Sequence, residues 1–551
     1  MKSIAILYAA NNENRQFEKY FDGKSAFERS LEWASSIDSA LSIVIFTIPS
    51  LKEKVMTFVD SYNKSEGVKK TVNVITKDFW TNLILLQQMS LLCEQNCCDC
   101  AVYAWASCPF LDSALTKDVI DSHEKYLAEY TYADGYPYGF APEVIAGGAL
   151  NILSSLATSV RSQEGAESVC EHSIFNVMKA DLNSFEIETV IAPKDFRSYR
   201  LYFSSRTKLE TLSCIKLYEE AKKQNVPLKA DDLTLLAIHS ADVQMTVPAF
   251  YNVQIASMVN SQHKYSPYVN AFSKKYGFSP VGLEDYSQCM KIEEFNALLY
   301  QISEFSDEAV VSLSAWGEPL LLPNLCEYIK AALKYDGISL LIETDGFKVT
   351  PQLACQIADI VSDSAPRRNK KSAITWIVLL DSCTKEMHGK MFGTNEEGLE
   401  KSPFDRARDA VITLENYFPG DVYPQFLRVK ENECQLETFY RYYHDENSPS
   451  KGKLIIQKYD SYCGFMADEK PADLSPLERN VCWHLKRDMT VLSDGSVPLC
   501  KEMLLDGSMG NVFNEGIESV WNKIRVKTCE QLKGCIGEKC RACDEYYTFN
   551  F

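Results

Sequence analysis

Four cysteines near the C-terminal end of this 551-residue chain, Cys482, Cys500, Cys540 and Cys543, have the residue type and spacing to hold a metal. Twelve residues separate Cys482 from Gly495, and four more separate Gly495 from Cys500. A Gly510-Asn511-Val512 turn and a helical stretch then lead to Cys540-Arg541-Ala542-Cys543. The CxxC pair offers two thiolates from one tight turn, and the two separated cysteines close the other side of a tetrahedral sulfur cage around one metal centre. An iron-sulfur cluster and a zinc ion both suit such a cage, and packing as buried free thiols is the alternative role. Cys463, Cys529 and Cys535 are spare thiols able to replace a ligand.

The residues around these cysteines extend the pattern: Cys482-Trp483-His484-Leu485, then Asp494-Gly495-Ser496-Val497-Pro498-Leu499-Cys500, then Val520-Trp521-Asn522. Together they resemble the SPASM domain, the C-terminal module of many radical S-adenosylmethionine (SAM) enzymes. That resemblance implies auxiliary iron-sulfur binding. The sequence ends at Phe551 without the further cysteines of full SPASM domains, so one [4Fe-4S] cluster is expected, with zinc as the alternative.

Composition narrows the setting. Apolar residues make up 46 % of the chain, and its length exceeds what one core organises, so about three domains are expected. A balance of 57 basic to 75 acidic residues gives a net charge of −18, which repels nucleic-acid backbones and anionic lipid surfaces. The opening apolar run meets Asn11-Asn12-Glu13-Asn14-Arg15 at once and reads as a strand and loop, not a leader. No run approaches the ~20 apolar residues that span a bilayer. A reducing, cytoplasmic location is expected, where nineteen cysteines argue for metal binding over a disulfide framework. Cys93, Cys97, Cys98 and Cys100 form a rival cluster, but their apolar flanks favour core packing.

The expected fold class is α/β, in three parts: a Rossmann-like nucleotidyltransferase fold over 1–245, a partial TIM barrel over 246–450 and a small Cys-rich domain over 451–551. In the first part short apolar runs at 4–8, 42–46 and 101–104 alternate with longer amphipathic ones. Helices are expected near 206–223 and 231–239. The opening strand, Trp105-Ala106-Ser107-Cys108-Pro109-Phe110-Leu111-Asp112 and Tyr136-Pro137-Tyr138-Gly139 resemble the cytidylyltransferase-like family. Its glycine-rich phosphate loop is missing here, since no glycine precedes Gly23, and Ser107 stands where the family has a metal-binding aspartate. Arg15, Lys24 and Asp112 are the candidate residues of a nucleotide pocket, although Asp112 also suits a helix cap.

In the second part strands are expected at 310–313, 339–343, 374–380 and 425–429. Gly317-Glu318-Pro319, Glu343-Thr344-Asp345-Gly346 and Leu380-Asp381-Ser382 fall at strand ends, where barrel sites are built. These motifs resemble the radical SAM barrel and imply a SAM-like pocket at Gly317, Glu318, Pro319, Thr344 and Gly346. The family's CxxxCxxC loop is where the chain departs. With Asn260, Tyr265 and Pro267 aligned to that loop, the three ligand positions fall on Val259, His263 and Ser266, and none of them is a thiolate. SAM cleavage is therefore not expected, and SAM binding is open. The whole arrangement resembles the spirochaete family called spiro-SPASM. The expected function is an iron-sulfur protein with a regulatory, redox or partner-binding role, its partner a protein or peptide, including a separate radical SAM enzyme. The alternatives are a maturase or transferase in peptide or envelope-sugar modification, and a zinc-stapled scaffold.

Overall fold

The computed structural model describes residues 1–10, 14–64, 70–158, 166–394, 401–504 and 507–548. Asn11, Asn12 and Glu13 of the glycine-free loop lie outside them. The chain divides into two compact units, 1–246 and 247–551.

Unbroken apolar runs build the sheet of the first unit. Strands β1 (Ser3–Tyr8), β2 (Ala40–Thr47) and β4 (Cys100–Trp105) are buried almost throughout, as strands covered on both faces must be. With β3 (Thr71–Thr76), β5 (Tyr130–Asp134), β6 (Glu143–Ala146) and β7 (Ile187–Ile191) they make seven strands in the order β3-β2-β1-β4-β6-β5-β7. β6 runs antiparallel to both of its neighbours. Successive residues of β1 feed two cores: Ile4, Ile6 and Tyr8 pack on one face, Ala5 and Leu7 on the other. The expected helices appear as Lys208–Gln224 and Ala230–His239.

The second unit is wound differently. β8 (Phe250–Val253), β9 (Ala309–Ser312), β10 (Ile338–Thr344), β11 (Ile374–Leu379), β12 (Val422–Arg428) and β13 (Ile455–Lys458) lie side by side in chain order, all parallel. That is the winding of a partial barrel. Its seventh strand, β14 (Asp488–Val491), comes from the Cys-rich segment and pairs parallel with β8. The same segment adds a small hairpin of β15 (Ser496–Val497) and β16 (Gly510–Asn511). Among the described residues no helix is long and apolar enough to cross a membrane.

Candidate metal centre

Turn chemistry places the C-terminal cysteines. Gly495 adopts φ +79°, and a Cβ there would lie 2.2 Å from the Phe513 ring, so only glycine fits. Asp494 Oδ1 accepts from Ser496 N at 3.0 Å, and Asn511 Nδ2 donates to Asp494 O at 2.8 Å. These bonds fix the β15–β16 hairpin that leads to Cys500. Cys482 stands at the start of the short helix Trp483–Arg487, its backbone N–H donating to Gln531 Oε1 at 3.1 Å. Cys540 lies in the short helix Glu538–Ala542, and Cys543 follows it directly. Cys543 Sγ accepts from Glu545 N at 3.3 Å, the type of N–H···S bond that tunes a metal-bound sulfur.

A fifth cysteine belongs to the same electrostatic neighbourhood. The Cys463 thiol interacts with those of Cys500 and Cys543, as Cys482 does with Cys500 and Cys543, and Cys540 with Cys543. Burial pushes the Cys482 and Cys540 thiols up; for Cys543 the contact with Cys463 does so first, then burial. Such thiols give up their protons when a metal takes the sulfur. The donor set, its glycine-dependent turns and its N–H···S bond fit a thiolate-bound metal centre. Cys529 lies on the helix Ile517–Leu532 and Cys535 in the exposed turn after it.

Cys500 also lines a cavity of about 360 Å³ at the strand ends of this unit. Of the five residues in the expected SAM-like pocket, Gly317 and Glu318 line it, and Pro319, Thr344 and Gly346 do not. Gly317 is required by close approach, since a Cβ would fall 1.9 Å from Ala256 O. The Glu318 carboxylate accepts from Leu320 N at 3.1 Å and Asp345 N at 3.0 Å, tying the Gly-Glu-Pro loop to the end of β10. Asp345 accepts from Phe347 N and twice from Asn260 Nδ2. Burial, then the Asp345 charge, raises Glu318 well above the usual carboxylate range, and burial raises Asp345. Further carboxylates on the wall are Glu343, Asp381, Asp460, Asp488, Glu502 and Glu545, and Lys458, Arg487 and Lys501 are its fixed cations. Glu343 and Asp381 belong to the strand-end motifs; the others belong to none of the motifs, so no local signal marks them.

The loop that lacks thiolates is held by side chains. Val259, His263 and Ser266 all line the cavity. His263 Nε2 stands 3.2 Å from Asp381 Oδ2, and His263 Nδ1 accepts from Tyr265 N at 3.3 Å. Lys264 Nζ and Tyr265 Oη both reach Glu431, at 2.6 and 2.7 Å. Both imidazole nitrogens thus have protein neighbours.

In the first unit the nucleotide-pocket candidates are not brought together. Arg15 donates to Arg206 O at 3.1 Å, and Lys24 pairs with Glu32 in the open. Asp112 is a buried cap: it accepts from Ala114 N and Leu115 N and, with its other oxygen, from Ala230 N at 2.7 Å. None of the three lines the cavity of about 360 Å³ in this unit, which is walled by aromatic residues including Tyr103, Trp105, Tyr130 and Tyr138. Tyr136 and Glu143 line it too; Tyr130 Oη donates to Glu143, whose carboxyl burial pushes up to about 7. Cys93, Cys98 and Cys100 are packed in the sheet's cores, and Cys97 is exposed.

Residues 482–544 match the SPASM family, an iron-sulfur cluster-binding domain. An uncharacterized protein of Treponema pallidum (strain Nichols) is 35 % identical over 385 residues, which are 69 % of this chain and 99 % of that protein. A second uncharacterized protein of the same organism is 45 % identical over 51 residues, 9 % of this chain and 23 % of that one. Among solved structures, BtrN in complex with AdoMet and 2-DOIA is 16 % identical with a TM-score of 0.33, covering 54 % of this chain and 93 % of that one. The cytidylyltransferase of Leptospira borgpetersenii serovar Hardjo-bovis is 16 % identical with a TM-score of 0.34, covering 43 % and 93 %. Native anSMEcpe with bound AdoMet is 15 % identical with a TM-score of 0.36, covering 51 % and 82 %.

Proposed function

The chain belongs to the family of the Treponema pallidum protein, within the radical SAM/SPASM superfamily, and from this premise we propose that it is an iron-sulfur protein that does not cleave SAM. Its C-terminal thiols hold one [4Fe-4S] cluster, and its barrel cavity receives a ligand or a segment of a protein or peptide partner in a regulatory or redox role. When bound, such a cluster supplies one-electron exchange at a potential set by its surroundings.

The observation that carries this reading is the contrast within the second unit. Val259, His263 and Ser266 offer no thiolate, and the loop bearing them is fixed by Asp345 through Asn260 and by Glu431 through Lys264 and Tyr265. A metal there would lack the sulfur ligands that an iron-sulfur cluster requires. Cys500, in turn, borders the same cavity, so a centre at the C-terminal thiols would lie beside whatever enters it. The retained Glu318 is engaged as a buried loop tie, which accounts for the Gly-Glu-Pro motif without SAM turnover. The reducing cytoplasm is the setting such a centre requires.

Anaerobic purification with iron, sulfide and zinc counts tests this reading, followed by incubation with SAM and a strong reductant. About four irons and four sulfides per chain, with SAM left intact, are expected. Release of 5′-deoxyadenosine would sink the proposal, and one zinc without iron would make the module a structural staple.

A second reading, a transferase acting on a peptide or envelope sugar, is favoured by Glu143. Its carboxyl titrates near neutrality in an aromatic cavity, a setting suited to proton transfer. A thermal shift of the full chain with a nucleotide sugar would support it, since a ligand at 100 times its Kd stabilises by about 2.7 kcal/mol.

A further inference from the structure

We propose that the cavity of the first unit binds an uncharged, hydroxyl-bearing ring, a monosaccharide, taken without a nucleotide or phosphate attached. The site is independent of the metal centre. It shares Glu143 with the transferase reading, but not that reading's nucleotide sugar.

The floor of the cavity is one face of the sheet. Tyr103 and Trp105 are two apart on β4 and so point the same way, and Glu143 on β6 stands opposite Tyr103 in the antiparallel register. Tyr103 is 1 % exposed and Trp105 6 %, yet neither Tyr103 Oη nor Trp105 Nε1 meets a hydrogen-bond partner among the described residues. Buried polar groups are ordinarily paired, because an unmatched one keeps its desolvation penalty. Two such groups on the wall of one cavity, beside a carboxyl, define where the polar atoms of a ligand would sit.

The walls are set before anything enters. Arg206 lies over the Trp105 and Tyr138 rings, 5.2 and 5.5 Å from their centres, and is itself fixed by Glu171 at 2.7 Å and Glu210 at 3.2 Å. Tyr138 N donates to Leu201 O at 3.1 Å, and Tyr138 O accepts from Phe203 N at 2.9 Å. Gly139 permits that approach, since a Cβ there would fall 2.2 Å from Phe203 O. A volume of about 360 Å³ suits one small molecule.

The polar groups select the chemistry of that molecule. An indole N–H only donates, so the ligand places an oxygen acceptor at Trp105. A phenol both donates and accepts, and so does a carboxyl that burial pushes up to about 7, as it does for Glu143. Hydroxyl groups match such two-way partners, whereas the edge of a heterocyclic base has fixed donors and acceptors. Tyr132, Tyr136, Tyr202 and Phe175 add ring surface for the C–H side of a sugar. Of the charges on the wall, Glu171 pairs with Arg206, Arg197 pairs with Asp134 and Asp195, and Arg200 is engaged as well. Arg15 and Lys24 do not line the cavity, so a phosphate would find no cradle from them there.

The full chain is titrated with D-glucose, D-galactose, D-mannose and N-acetyl-D-glucosamine, and in parallel with glucuronate, cytidine, CTP and UDP-glucose. Binding is read by calorimetry and saturation-transfer NMR, for the wild type, Trp105→Phe and Tyr103→Phe. Each variant deletes one unpaired polar atom and keeps the ring. Saturable binding of at least one neutral sugar is expected, weakened about tenfold or more in each variant. The melting temperature without ligand should not fall in either, because no hydrogen bond within the protein is lost. Binding of none of the neutral sugars overturns the proposal, as does a neutral sugar held equally by the wild type and both variants. A preference for glucuronate or cytidine overturns it too, by assigning an acid or a base. Uptake of UDP-glucose or CTP without any free sugar overturns it and leaves the transferase reading standing, whereas a free sugar bound with no uptake of UDP-glucose upholds it and sinks that reading. Should Trp105→Phe fail to fold, Tyr103→Phe decides.

Discussion

Two walls of one cavity solve the same problem by different chemistry. The 259–266 loop and the 460–464 turn are both irregular backbone at strand ends, and both border the space lined by Glu318 and Cys500. The first is held by hydrogen bonds and an ion pair through Asp345 and Glu431, with Asp381 standing beside His263. The second lies beside the C-terminal cysteines, where burial holds the Cys482 and Cys540 thiols in the protonated form that a metal would displace. The absence of three cysteines at 259, 263 and 266 thus leaves no loose loop behind it. A polar network holds that side of the cavity without any thiol.

Withdrawing the metal should break the two walls apart most strongly. A thiolate-bound metal contributes on the order of 10 kcal/mol of apparent folding free energy in small thiolate domains. Chelation is expected to deprotect amides of 460–464 and 482–548 in hydrogen exchange and to leave those of 259–266 protected; equal loss on both sides would refute the division. Gly317→Ala comes next, because its Cβ would meet Ala256 O at 1.9 Å. A cost of about 3 kcal/mol or more is expected from urea unfolding, with metal content unchanged. Asp381→Ala removes both the neighbour of His263 and the acceptor of Leu427 N. It should cost about 1–3 kcal/mol and loosen 259–266 without shifting the visible spectrum.

The pH dependence sharpens the contrast further. Glu318 and Asp345 have raised pKa values when folded, so the folded state holds protons that the unfolded chain has released. Their contribution is fully present below the ordinary carboxylate pKa of about 4 and is lost as the pH rises through the folded values. The urea midpoint should therefore fall across that range, and Asp345→Asn should flatten the fall. The smallest effect is expected for Lys264→Ala. Its ion pair with Glu431 is about half exposed on the lysine side, at 51 %, and Glu431 keeps Tyr265 Oη, so a loss below about 1 kcal/mol should be measured.

Much of this molecule was legible from local patterns. The expected strands at 4–8, 42–46 and 101–104 lie inside β1, β2 and β4, because strands buried on both faces must be written as unbroken apolar runs. The motif glycines were legible for a similar reason: Gly317, Gly346 and Gly495 stand where a Cβ has no room. Arg15, Lys24 and Asp112 show the limit. Their types suited an anion or metal, but proximity along the chain said nothing of the separate partners, Arg206 O, Glu32 and Ala230 N, that the fold supplies.

By itself, then, the sequence determined the α/β class, the radical SAM and SPASM motifs and the absence of thiolates at 259, 263 and 266, because each is a property of residue type and short spacing. Only the tertiary structure decided that β14 of the Cys-rich segment would close the barrel's sheet against β8, that Asp381 would stand beside His263, and that the 460–464 turn would meet the CxxC pair. Those are contacts between residues tens to hundreds of positions apart, set by which strands pair and how their ends converge, and no local pattern encodes them.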